Sequence, residues 1–170
     1  MSEKRMPRVL DWLECGDAVL ESDPWIEFKV IWDAAGPRQP LYWIIDGAYG
    51  GSVEVKVDPD TGALLQVIVI DSPPSAPSVE RVGVAEVADR SVPVIDRTEW
   101  GVKDNPDYSE PAVRKVQSVE ELSFSRHGGR LALGFSSVKP VVRLIRCGQV
   151  SVGVSEDGML CEVLAECDPG

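Results

Sequence analysis

Two stretches in which valine recurs at every second position constrain this chain more than any other feature. In the first, Val53, Val55 and Val57 alternate with Ser52, Glu54 and Lys56. Successive side chains of a strand point to opposite faces, so the pattern predicts a strand with one buried face and one wet face. Asp58-Pro59-Asp60-Thr61-Gly62 follows, with proline to set φ, aspartate to satisfy turn amides and glycine for a positive φ. The next segment, Ala63 to Ile70, is apolar on both faces, as a central strand requires.

The same arrangement returns near the C-terminus. Val150, Val152 and Val154 alternate with small or polar residues, Glu156-Asp157-Gly158 turns the chain, and Met159 to Ala165 is again apolar. Gly62 then matches Gly158, Leu64 matches Leu160 and Val67 matches Val163. Upstream, Pro40 with Leu41 to Ile45 matches Pro140 with Val141 to Ile145, and Phe28 matches Phe124. The expectation is one domain over residues 1–170, with diverged repeats at 25–70 and 122–165 joined by 71–110. Two copies are too few for a solenoid, so two half-sheets sharing a core, or one curved sheet, are both open.

Helical content is expected in two places. Val9, Leu10, Trp12 and Leu13 suit one side of a short helix within Pro7 to Leu20. Ser109-Glu110-Pro111 is a good helix start, followed by Val113, Val116 and Val119 at a spacing of three. Between the repeats, Ser72 to Ser78 is a stiff proline-rich connector, and Val79 to Ile95 holds one or two strands, with Pro93 at an edge. The fold class is therefore mainly β (α+β), with antiparallel sheets from two hairpin-containing repeats and one or two short helices. Trp25, Trp32 and Trp43 lie in apolar strand segments and are expected in the core.

Charge narrows the choice of ligand. The net charge is −11, and phosphate recognition needs clustered Lys and Arg, so nucleic acid is not the expected partner. From Asp11 to Glu27 there are six carboxylates and no base, whereas Leu122 to Ser155 holds Arg126, Arg130, Lys139, Arg143 and Arg146 and no acid. Ion pairs between the two stretches and an acidic binding surface are both compatible with this segregation. The longest apolar runs are far short of the roughly 20 residues of a spanning helix, and no apolar export segment follows the N-terminus. A cytoplasmic protein with reduced thiols at Cys15, Cys147, Cys161 and Cys167 is expected.

No motif for catalysis, a metal or a cofactor emerges. Asp58-Pro59-Asp60 lacks the further ligands and distal glutamate of a calcium loop. His127, the only histidine, precedes Gly128-Gly129 and reads as a loop-tip residue. Neither a nucleophile elbow, a phosphate loop nor a paired-cysteine zinc motif occurs.

A small acidic domain built on Val-x-Val-x-Val hairpins, closed by Glu156-Asp157-Gly158 or its counterpart and followed by an apolar strand, resembles immunity proteins of bacterial polymorphic and contact-dependent toxin systems. The resemblance covers Phe28 to Ile70 and Phe124 to Ala165. It implies a non-enzymatic protein that binds a cognate, basic toxin domain and blocks its active site or its access to substrate. The residues combining charge with aromatic anchors are Asp11, Glu14 and Asp17 in one segment, and Trp100, Asp104, Asp107, Tyr108 and Glu110 in another. A small-molecule or carbohydrate-binding β domain, possibly hydrolytic, is the alternative, and a self-pairing structural subunit is a third.

Overall fold

The computed structural model describes residues 6–21, 23–33, 39–76, 84–100, 115–135 and 140–167. They form fourteen strands and one 3-10 turn. The first half contributes β1 (Val9–Glu14), β2 (Val19–Leu20), β3 (Lys29–Ile31), β4 (Leu41–Gly47), β5 (Ser52–Val57) and β6 (Leu64–Asp71). The middle contributes β7 (Ala85–Ala88), β8 (Ser91–Ile95), the turn Thr98–Trp100 and β9 (Lys115–Glu120). The second half contributes β10 (Ser123–His127), β11 (Arg130–Gly134), β12 (Val141–Cys147), β13 (Val150–Ser155) and β14 (Leu160–Glu166).

Two six-stranded sheets result, ordered β2-β3-β6-β5-β4-β9 and β10-β11-β14-β13-β12-β7. They match strand for strand, antiparallel throughout except for the last strand, which is parallel to its neighbour in both. Those parallel strands, β7 and β9, both come from the stretch between the halves, and each covers a sheet edge that β4 or β12 would otherwise expose. β6 and β14 are interior strands, and both are buried on both faces over most of their length.

The two hairpins agree in detail. Val53, Val55 and Val57 are buried, as are Val150, Val152 and Val154. Val55 pairs with Val67 and Val57 with Leu64, while Val152 pairs with Val163 and Val154 with Leu160. Each pairing is interrupted by a bulge at the same place, between Lys56 and Val57 and between Gly153 and Val154. Gly62 and Gly158 both take φ +84°, the left-handed conformation that closes the turn. Asp58 Oδ1 accepts hydrogen bonds from the amides of Asp60 at 2.8 Å and Thr61 at 3.3 Å, so its carboxylate organises this turn.

Pairing register changes the upstream correspondence. Ile45 and Cys147 occupy equivalent places, opposite Val53 and Val150, so Leu41 to Ile45 aligns two residues further along than Val141 to Ile145. Phe28 and Phe124 are not equivalent either. Phe28 borders β6 at Val69, whereas Phe124 lies on β10 opposite Leu133, one strand further out. Trp32 and Phe135 do correspond, since their amides donate to the Leu65 and Cys161 carbonyls at 2.9 and 2.8 Å. Local apolar patterns align equally well in several registers, and only inter-strand pairing distinguishes them.

Other expectations are corrected. Residues 9–14 and 19–20 are strands, not a helix, because β1 pairs with β8 from Val9–Ile95 to Glu14–Ser91. Val116 and Val119 lie on β9, paired with Trp43 and Asp46, rather than on a helix; Val113 falls outside the described residues. In each case a partner strand distant in sequence overrides a local spacing of three. Trp32 and Trp43 are buried, but Trp25 is 92% exposed at a turn, where Asp23 Oδ1 accepts its amide hydrogen bond at 2.8 Å.

One apolar core contains buried residues of both six-stranded sheets, and β8 touches both β6 and β12. Among the described residues no helix is long and apolar enough to cross a membrane.

Candidate partner interface

β1 and β8 form a two-stranded ribbon of their own. The two strands have different surroundings. Val92 and Ile95 of β8 are buried, whereas β1 from Leu10 to Glu14 is exposed throughout. Leu10 is 62% exposed, Trp12 43% and Leu13 40%. Exposed apolar residues rimmed by polar ones mark recognition surfaces, and tryptophan is the residue type most often an anchor there.

Pro93 determines which way the ribbon's backbone points. It lies opposite Trp12 and has no N–H to donate, so this pair belongs to the non-hydrogen-bonded class of an antiparallel ladder. Three positions on, Cys15 N donates to Arg90 O at 2.8 Å, so the backbone groups of the odd-numbered positions face β8. Trp12 and Glu14 therefore turn their backbone groups away from β8. The Trp12 amide is taken by Asp11 Oδ1 at 2.8 Å.

At the end of β1 the chain borders a groove of about 430 Å³, lined by Glu14, Cys15, Gly16, Asp17 and Arg90. Arg90 has φ 49°, a strained value for a residue with a side chain, and its amide donates to Asp89 Oδ1 at 2.8 Å. Two thiols meet behind the groove. Cys147 Sγ donates to Gly16 O at 2.6 Å and Cys15 Sγ to Trp32 O at 3.4 Å. Burial, and then the neighbouring Cys147 thiol, push the Cys15 thiol up to about 12. It is a protonated, structural thiol rather than a nucleophile.

The segregated charges of the sequence are used in two ways. Much of the basic stretch is engaged internally: Arg130 pairs with Glu166 at 3.3 Å, Arg146 with Glu86 at 3.7 Å, and Arg143 donates to Glu156 O at 3.0 Å. Lys29 pairs with Glu21 at 3.6 Å. By contrast, Asp11, Glu14, Asp17 and Glu27 form no ion pair among the described residues. Asp11 and Glu14 are exposed on β1, and Glu14 and Asp17 line its groove.

The second acidic segment is placed differently. Trp100 ends the 3-10 turn and packs on Trp43, with ring centroids 5.1 Å apart and planes inclined at 48°. The Trp43 indole in turn donates to Ser118 Oγ at 2.8 Å. Asp104, Asp107, Tyr108 and Glu110 lie outside the described residues.

A second depression, of about 530 Å³, collects groups that sequence spacing kept apart, among them Glu27, Ser72, Ser75, Phe124, Arg126 and His127. His127 does end β10 before the Gly128-Gly129 turn, but tertiary structure places a carboxylate and a guanidinium on the same depression. Sequence reading also missed Leu10, Leu13 and Arg90. Their signal was Pro93, which marks an edge ribbon whose partner strand had to come from elsewhere in the chain. Comparison with known proteins finds no family model and no curated protein that matches this chain.

Proposed function

We propose that this chain is an immunity-type inhibitor that binds a basic toxin domain through the β1 surface and blocks its active site or substrate access. The observation that carries the reading is the coincidence of Asp11, Glu14 and Asp17, free of ion pairs among the described residues, with exposed Leu10, Trp12 and Leu13. Carboxylates not committed to internal pairs steer a basic partner and raise its association rate by about 10 to 1000-fold, while aromatic anchors slow its release. The role is binding without catalysis, in the cytoplasm, as a heterodimer with the toxin. The matching sheet orders and bulges of the two halves further support descent from a duplicated hairpin unit.

The test is affinity capture of the partner followed by kinetics with surface variants. The reversal Asp11→Lys/Glu14→Lys/Asp17→Lys should slow association about tenfold or more and flatten its salt dependence. Trp12→Ala should mainly speed dissociation. A parallel reversal of Asp104, Asp107 and Glu110 separates the two acidic segments. Wild-type binding by both reversals, or an acidic captured partner, would sink the reading.

The depression holding Glu27, Arg126 and His127 favours a second reading, a small polar ligand bound by opposite charges and hydroxyls. Isothermal titration with sugars and small carboxylates, in wild type and in Arg126→Ala, distinguishes it. Heat uptake lost in the variant would favour the ligand site.

A further inference from the structure

We infer that β1 accepts an extended, basic segment of the partner as a third strand of the β1–β8 ribbon. This rests on the β1 surface being the partner interface. It adds the mode of recognition, which is main-chain hydrogen bonding along a strand edge rather than side-chain contact alone.

The edge has three properties that suit this use. Its backbone points outward: the Trp12–Pro93 pair directs Trp12 O and the Glu14 amide and carbonyl away from β8, while the Trp12 amide is held by Asp11 Oδ1 at 2.8 Å. It is open from Leu10 onward, because no described strand pairs with β1 beyond β8, and the only described neighbours on that side, the Arg8–Met159 bridge and the Val9 amide donating to Gly158 O at 2.8 Å, stop at the strand's first residue. It is short and interrupted by a bulge between Val9 and Asp11, so it offers a few hydrogen bonds, not a long template.

The charge selects the occupant. A second copy of this chain laid along the same edge would bring Asp11 and Glu14 against their own counterparts, and like charges directly across a strand pair are destabilising. The same carboxylates attract a strand carrying Lys or Arg at the facing positions. Trp12, 43% exposed, offers a surface for an apolar residue between those bases. The acids thus prevent self-pairing and favour a basic guest.

The probe is a synthetic peptide matched to β1 in length, with Lys at the two positions facing Asp11 and Glu14 and Val at the two positions between them, and the control peptide has Glu in place of those Lys. The full chain is labelled with nitrogen-15, and amide exchange is followed residue by residue. The Lys peptide should slow exchange of the Glu14 amide by about tenfold or more, with no effect from the Glu peptide or in Asp11→Lys/Glu14→Lys. If shifts at β1 show that the Lys peptide binds but Glu14 exchange is unchanged, strand addition is wrong while the acidic interface stands. Absence of any response to the Lys peptide at millimolar concentration overturns both. A Glu14 amide already protected in a chain that elutes as a dimer would show that a second copy holds the edge, and would also overturn the inference.

Discussion

The rings of Phe28 and Phe124 meet edge to face, with centroids 5.8 Å apart and planes at 73°. Phe28 immediately precedes β3 in the first half and Phe124 lies on β10 in the second, and both are buried. Truncating either to alanine should destabilise the fold by about 3–5 kcal/mol. A double-mutant cycle in urea should show a coupling of about 0.5–1.5 kcal/mol beyond the separate losses. Strict additivity would mean that the ring contact does not join the halves energetically.

Gly153 faces Glu162 across β13 and β14. A Cβ there would lie 2.6 Å from Glu162 Cγ and 2.9 Å from both Glu162 Oε1 and Val141 Cγ2. Gly153→Ala should therefore destabilise by about 1–3 kcal/mol, and the loss should shrink in a Glu162→Ala background. Thermal denaturation of the two single variants and the double variant checks this.

Glu120, at the end of β9, has its carboxyl pushed up from 4.5 to about 7 by burial and then by the neighbouring Glu121. The folded chain prefers the protonated form. Its contribution to stability is full below about pH 4.5 and is lost as the pH rises through 7. Glu120→Gln should stabilise the protein by about 1 kcal/mol at pH 8 and change little at pH 4, the gain being limited by the carboxyl's partial contact with water. Equal effects at the two pH values would show that burial does not govern this group.

Cys167 is exposed, whereas Cys147 and Cys161 are buried and Cys15 is held as a thiol. At about pH 8, iodoacetamide should label the native chain at Cys167 and reach the other three cysteines only after denaturation. Peptide mapping of the labelled protein reads the result, and rapid native labelling at Cys15 would contradict the packing behind the β1 groove.

Trp100 packs on buried Trp43, so Trp100→Ala should lower the melting temperature by several degrees through lost packing. Partner dissociation measured beside it separates this structural role from any contact with the partner. A variant as stable as wild type that releases its partner faster would place Trp100 in the interface instead.

Sequence alone determined the two hairpins: alternating valines, turn glycines at 62 and 158 and the apolar strands after them are local features, and local physics predicts them. It also determined the excess of acid and the edge character of Pro93. Tertiary structure decided that residues 9–14 form a strand, because their partner Ser91–Ile95 lies about eighty residues away and a segment this short takes its conformation from what it pairs with. It decided likewise that Phe28 and Phe124 touch instead of corresponding, and that Trp25 faces water while Trp100 packs on Trp43. Those outcomes depend on strand order and register, which arise from the joint burial of both halves in one core and leave no periodic trace in either segment.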